Sequence, residues 1–398
     1  MNIHIIKNAR GVKGKNISGG RIAYEYFEDS KYTGIKRQYL YLYNTEKNES
    51  IEIEPEIIKY NIALISDVRL NNEYLYFTSI VEDKKNDDDL NVLLYRYDVN
   101  EEKTSMIFSY SEKLEKYENF MRTKFFVLND YYILMQNEFL RSNLTETYDD
   151  YFDFELYMFN IIENKKYKIS DEKLNQCGIV EFLPISSNNY IVKTGYDLFT
   201  DDRYKFLTKD ESVVESISLI NVGQMISDVI IGKSDVVMNT IESVYYTSTI
   251  PYVKVEGDYF YYSKVKTEDE LSEEIVFYNY KKKESLMCIN SQIKNGKSLA
   301  KPFVSSGKPY VMILSSKGYE FIEIENPKNI QILDSSYEIK DIVKNVVITA
   351  LVSKGMFGKI KDYVYVFKLP SLQLLHREKG QYENYIFSRD GELNIMLK

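Results

Sequence analysis

Apolar and polar positions alternate along short runs of this chain, and the runs repeat. Leu40-Tyr41-Leu42-Tyr43-Asn44, Leu94-Tyr95-Arg96-Tyr97-Asp98, Leu156-Tyr157-Met158-Phe159-Asn160 and Ile275-Val276-Phe277-Tyr278-Asn279 share one form. Each is an extended aliphatic and aromatic run closed by a polar residue. Looser copies read Phe321-Ile322-Glu323-Ile324-Glu325 and Val364-Tyr365-Val366-Phe367-Lys368. Period-two alternation of this kind predicts strands, and the polar residue predicts a tight turn into a second strand. The copies recur at intervals of roughly 40–60 residues, the spacing of propeller blades, apart from a double interval between Asn160 and Asn279. A degenerate copy fills that gap: Tyr204-Lys205-Phe206-Leu207, a turn through Lys209 and Asp210, then a strand over residues 213–219.

A further hairpin precedes the copies, as in residues 62–66 with 74–78, 125–128 with 131–135, and 253–255 with 259–262. Each repeat is therefore a four-stranded unit, and the chain reads as all-β: a β-propeller of about seven four-stranded blades, with eight as the alternative. The count turns on the ends, where residues 385–397 form one more hairpin and Ile3–Ile6 a lone strand. Open sheet edges must be hidden, so these ends are expected to pair and close a ring. Residues 1–398 are then one propeller domain. A short helical insertion is expected after the fourth blade, within residues 221–250. There Val222, Met225, Ile226, Val229 and Ile230 fall on one helix face. Asn221 is placed to cap its start and Gly232 to end it. The helix either packs on a blade or forms a lid.

The hairpin Leu94-Tyr95-Arg96-Tyr97-Asp98 with its Lys-containing turn resembles those of bacterial propellers of the TolB and dipeptidyl-peptidase N-terminal kind. Phe387-Ser388-Arg389-Asp390-Gly391 resembles the serine-x-aspartate-glycine turn of that group. The aspartate-glycine turn is absent from the other blades. The resemblance implies a fold and carries no activity, because propellers host many functions.

Composition narrows the function classes. The chain has 37 Tyr and no Trp, and a net charge of −9. An acidic chain lacks the basic surface that binding to phosphate backbones requires, so nucleic acid is not an expected partner. No apolar run approaches membrane-spanning length, and the N-terminal Ile3, Ile5 and Ile6, interrupted by His4, are too few for an export signal; a cytoplasmic location is expected. Cys177 and Cys288 make neither a disulfide framework nor a zinc set. A nucleophile elbow, a P-loop and a dinucleotide fingerprint are all absent from the sequence. The two histidines, His4 and His376, stand near opposite chain ends.

The connections between second and third strands are long in most repeats, and long loops beside tight turns carry function. Residues 82–90, 137–155, 195–203 and 266–274 each carry a net negative charge, −3, −5, −2 and −4. An acidic face over blades two to five is an electrostatic footprint for a cationic partner. The candidate binding residues are Asp87, Asp88, Asp89, Asp149, Asp150 and Asp153 for charge, with Tyr148 and Tyr151 as aromatic anchors. Phe152 and Phe154 are either further anchors or core residues of the third strand. The expected function is a non-catalytic binding or scaffold propeller for a protein or peptide. The alternative is an enzyme acting on a carbohydrate or other polar substrate through paired carboxylates. No cofactor is expected, although the aspartate clusters offer oxygen ligands that suit calcium.

Overall fold

The computed structural model describes residues 2–7, 16–29, 36–53, 63–71, 73–82, 89–113, 118–142, 150–171, 174, 177–195, 213–245, 248–266, 272–290, 293–294, 297–298, 300–354, 360–387 and 392–398. Its strands form successive antiparallel meanders, the blade architecture of a β-propeller. Blade one is Asn16–Ser18, Arg21–Asp29, Lys36–Asn44 and Glu49–Ile53; blade two is Ala63–Leu70, Tyr74–Glu82, Asp89–Asp98 and Lys103–Lys113. Blade three is Glu118–Val127, Tyr132–Ser142, Asp150–Asn160 and Lys165–Ile169; blade four is Ile179–Pro184, Asn189–Gly195, Val213–Asn221 and Met238–Tyr245. In blade five the first strand comes in two pieces, Ser248–Thr249 and Val253–Glu256, both paired to Tyr259–Lys266, followed by Ser272–Asn279 and Glu284–Asn290. Blade six is Ala300–Ser305, Lys308–Ser315, Gly318–Glu323 and Ile330–Leu333; blade seven is Glu338–Val343, Val346–Lys354, Ile360–Lys368 and Gln373–Lys379.

The eighth blade has three strands, in the order Ile3–Ile6, Leu393–Leu397, Tyr382–Phe387. Ile3–Ile6 runs parallel to Leu393–Leu397, so the two chain ends pair as expected. Among the described residues the blades number eight, the alternative rather than the favoured seven. Among the described residues the closing blade shows no hairpin between a third and fourth strand, so a count based on that hairpin misses it. Two compact units divide the chain: residues 1–178, 226–236 and 383–398, and residues 179–225 and 237–382. The first holds blades one to three with nearly all of the closing blade, and the second holds blades four to seven.

The alternating runs put apolar side chains on both faces because each blade packs against a neighbour on either side. In blade two, Leu93, Tyr95 and Tyr97 join Ala23, Leu40 and Leu42 of blade one. The intervening Val92 and Leu94 join Phe125, Ile133 and Met135 of blade three. The second unit repeats the arrangement between blades four and five, five and six, and six and seven. Phe77, Phe125, Phe260, Phe277 and Phe321 are fully buried, each contributing about 2–3 kcal/mol of apolar burial.

The polar residue closing each run acts as anticipated. Asn44, Asp98, Asn160 and Asn279 each turn a side-chain oxygen onto the backbone N–H groups two and three residues on. Four residues after each, Asn48, Glu102, Asn164 and Lys283 take a left-handed backbone. One turn geometry therefore serves four blades.

A helix spans Val222–Ile230. Asn221 Oδ1 accepts the Gln224 N–H at 2.9 Å. Gly232, at φ +77°, ends the helix, with its N–H on the Val229 carbonyl and the Lys233 N–H on that of Asp228. Both capping residues match the sequence expectation. The helix, however, lies between the third and fourth strands of blade four rather than after that blade. Val213–Asn221 is the third strand; it lacks the aromatic alternation of the other copies, and its phase is read one strand too late from sequence. The proposed copy at Tyr204-Lys205-Phe206-Leu207 lies outside the described residues.

Candidate functional site

Of the eight residues singled out for binding, Asp87, Asp88, Tyr148 and Asp149 lie outside the described residues. Asp89 opens the third strand of blade two, in register with Lys113 of the fourth. Asp150 opens the third strand of blade three, opposite Ser142; Tyr151 and Asp153 follow in the same strand, opposite Arg141 and Phe139. Phe154 is buried, which assigns it to the core rather than to a binding surface. Its ring lies against Gly178, leaving no room for a Cβ there.

Among the described residues, the strongest polar constellation in the first unit is one that the sequence reading did not select. Glu25 and Gln38 are diagonal neighbours in the second and third strands of blade one, and the Gln38 Nε2 donates to Glu25 Oε2 at 2.8 Å. The same Gln38 side chain reaches blade two, accepting the Ile65 N–H at 2.9 Å. Two residues on, Asp67 accepts the N–H of Val68 at 2.9 Å and that of Phe125 in blade three at 3.0 Å. Arg69 lies 3.2 Å from the same carboxylate. Burial pushes the Asp67 pKa up, and Arg69 with the two N–H donors pulls it partly back. Glu25 is exposed as a residue. Partial desolvation of its carboxyl raises its pKa, Gln38 opposes that, and the Asp67 charge adds to the rise. The sequence signal was a lone Asp inside the apolar strand Ala63–Leu70, beside a register shift between Ile65 and Asp67.

The second unit carries a parallel set. Buried Glu215 of blade four lies 3.7 Å from the Lys193 ammonium, and its other oxygen accepts the N–H of Ile250. Ile250 sits in the break of blade five's first strand, just before Pro251, which has no N–H to offer a ladder. Glu256 accepts the Val304 N–H of blade six at 3.2 Å, and Ser263 donates to Glu273. Burial, reinforced by the Glu273 charge, pushes the Tyr252 hydroxyl pKa far up. In chemical terms Glu215 and Glu256 are acceptors for backbone amides of the neighbouring blade.

Among the described residues, no group of three or more His, Cys, Asp or Glu is disposed to hold a metal ion. Neither Cys177 nor Cys288 is in a disulfide. His4 contacts Glu392 at 2.8 Å in the closing blade, and His376 lies in the fourth strand of blade seven. No described helix is long and apolar enough to cross a membrane.

No protein-family model matches the chain, and no curated protein matches its sequence. Solved structures do. The acylaminoacyl peptidase of Pyrococcus horikoshii is similar over 94% of this chain at 8% identity and a TM-score of 0.46, with 55% of the peptidase chain covered. The β-propeller domain of the Trilobed protease from Pyrococcus furiosus is similar over 89% of this chain and 93% of its own, at 8% identity and a TM-score of 0.41. The dihydro-heme d1 dehydrogenase NirN, in complex with DHE, is similar over 92% of this chain and 66% of its own, at 11% identity and a TM-score of 0.46. This chain thus spans little more than half the length of the first peptidase. The β-propeller architecture of this chain rests on its own strand topology.

Proposed function

We propose that the chain is a non-catalytic binding or scaffold propeller, working in the cytoplasm without a cofactor. It engages a cationic protein or peptide through the acidic connections of blades two to five. The observation that carries this reading is positional. Asp89 and Asp150 both open the third strand, in successive blades of one compact unit. The acid-bearing stretches 83–88 and 143–149 therefore lead into equivalent strands. The carboxylates that bond backbone amides of the next blade support the reading from the other side, since they act as a frame.

The test is association with an oligolysine peptide over a range of salt. Exposed charges are screened beyond about 8–10 Å near physiological ionic strength, so association should slow as salt rises. Replacing Asp87, Asp88 and Asp89 by Asn, or Asp149, Asp150 and Asp153 by Asn, should lower the on-rate and leave the unfolding midpoint in place. Tyr148→Ala with Tyr151→Ala should instead raise the off-rate. On-rates indifferent to salt and to all six replacements would overturn the reading. The alternative, an enzyme using paired carboxylates on a carbohydrate, is favoured by Glu25 and Asp67, whose pKa values are both raised. Turnover of an aryl glycoside by the wild type, lost in Glu25→Gln, would establish it.

A further inference from the structure

Among the described residues, the closing blade has three strands where each of the other blades completes a fourth. Its outermost strand is Ile3–Ile6, which among those residues pairs only with Leu393–Leu397. The Leu393 N–H donates to the Asn2 carbonyl at 3.1 Å, and Ile3 and Ile5 stand opposite Leu393 and Ile395. In a parallel ladder of this register the backbone groups of Asn2, His4 and Ile6 turn inward to Leu393–Leu397, and those of Ile3 and Ile5 turn outward. Their N–H and carbonyl groups thus line a strand edge.

The facing side of blade one carries a matching mark. The residue that follows a third strand donates its N–H to the carbonyl just before the second strand, as Thr45 does to Gly20 and Ile161 to Tyr131. Four residues before that donor, Tyr95, Tyr157, Ser218, Val276 and Tyr365 are all buried, and blade six has the charged Glu320. Tyr41 of blade one, at the same place, is only half-buried. In blade three the cover comes from the fourth strand of the preceding blade, whose Tyr110 ring lies 6.4 Å from that of Tyr157. The blade packed on this side of blade one is the closing blade, where Ile6 and Tyr24 border the cluster of Ile22, Tyr43, Ile386 and Met396. Tyr41 stacks on Tyr24 at 5.4 Å, and its hydroxyl donates to Glu52 Oε2 at 3.2 Å. In the outer hairpin of blade one, exposed Glu46, Glu49 and Glu52 outnumber Lys47.

We infer that the Ile3–Ile6 edge and Tyr41 form a strand-addition site for an extended peptide segment of another protein, one with an aromatic or branched side chain and a Lys or Arg two residues apart. Main-chain bonds to Ile3 and Ile5 call for an extended chain. Side chains two apart on that chain face the same way, here onto blade one. The first covers Tyr41, as a fourth strand covers its equivalents, and the second meets the Glu52 carboxylate. The site is separate from the connections of blades two to five and does not depend on their role.

Fluorescence anisotropy with the labelled peptide Thr-Val-Thr-Tyr-Thr-Lys-Thr-Val as the probe tests this. Tyr41→Ala should weaken binding about ten-fold. Glu52→Gln should weaken it about three-fold, and should not affect a version of the peptide with Gln in place of Lys. Replacing Asp87, Asp88 and Asp89 by Asn should change nothing, which separates this site from the acidic connections. N-methylation of alternate amides along one edge of the peptide should abolish binding, and along the other edge should spare it, since only one edge meets Ile3 and Ile5. In hydrogen exchange the Ile3 and Ile5 amides should exchange freely in the protein alone and slow when the peptide is added. Three outcomes overturn the inference. Protection of these amides in the dilute protein alone means that the edge is already paired. Protection that rises with protein concentration assigns the edge to a second copy. Equal binding of the two methylated peptides, or of wild type and folded Tyr41→Ala, removes strand addition at this place.

Discussion

Asp67 Oδ2 accepts the backbone N–H of Phe125 at 3.0 Å, joining the first strand of blade two to the first strand of blade three across 58 residues of sequence. Glu256 and Val304 repeat the relation between the first strands of blades five and six. A first strand pairs on one side only, so its other edge presents backbone groups that need partners. A short acidic side chain from the neighbouring blade supplies one. Asp67→Ala should therefore cost about 2–3 kcal/mol, because it leaves a backbone donor without its charged acceptor. Asp67→Asn, which keeps an acceptor oxygen, should cost less. Urea denaturation midpoints check the order; equal midpoints for wild type and Asp67→Ala would show that the tie contributes nothing.

Asp171 does a similar task over a longer span. It is buried, and its two oxygens accept the Leu174 N–H at 3.0 Å and the Val236 N–H at 2.9 Å. One side chain thus fixes both the segment following blade three and the segment following the helix. Asp171→Ala strips acceptors from two amides and should destabilise by about 2–4 kcal/mol. Hydrogen exchange should locate the loss at Leu174 and Val236 before global unfolding. Protection unchanged at both amides would rule this out.

Much of this frame was legible in the chain. Asn44, Asp98, Asn160 and Asn279 mark their hairpins because a short polar side chain after an alternating run has one local use, and local chemistry is visible in sequence. Asn221 and Gly232 announce the helix ends for the same reason. Asp67, Glu215 and Glu256 were not legible as ties, since their partners lie 58, 35 and 48 residues away and only the stacking of blades brings them near. The contact of the Lys166 ammonium with the Tyr110 ring was hidden likewise, as that ring comes from the preceding blade. The placement of the helix went astray because Val213–Asn221 packs as a third strand without that strand's aromatic signature.

Two glycines of blade six separate backbone strain from steric conflict. Gly307, at φ +75°, has open space where a Cβ would stand. Gly318, at φ +126°, follows the short turn through Ser316 and Lys317, and a Cβ there would lie 2.4 Å from the Leu333 carbonyl oxygen. Gly307→Ala should cost only the left-handed penalty, about 1–2 kcal/mol. Gly318→Ala must also displace backbone and should cost distinctly more, about 3 kcal/mol or above. Comparable midpoints for the two variants would mean that the contact at Leu333 relaxes freely.

Glu323 and Glu25 should answer pH in opposite ways. Lys308, 2.6 Å from Glu323 Oε1, holds that carboxyl below its usual range, helped by Asn329 and the Tyr310 hydroxyl. A depressed pKa in the folded state means that ionised Glu323 favours folding. Its contribution is present above the unfolded value of about 4.3 and is lost as pH falls through the lower folded value. Glu323→Gln should thus be less stable than wild type near neutrality, with the gap closing in acid. Glu25 has the reverse sign: partial desolvation of its carboxyl and the Asp67 charge raise its folded pKa. The proton is held more tightly in the folded state, so ionised Glu25 works against folding above the raised value. Glu25→Gln should then be at least as stable as wild type at neutral pH, with any advantage shrinking as pH falls toward about 4.3. Paired denaturation curves of both variants between acid and neutral pH distinguish the two. If both gaps carry the same sign, the folded state does not raise the Glu25 carboxyl as its desolvation and the Asp67 charge imply.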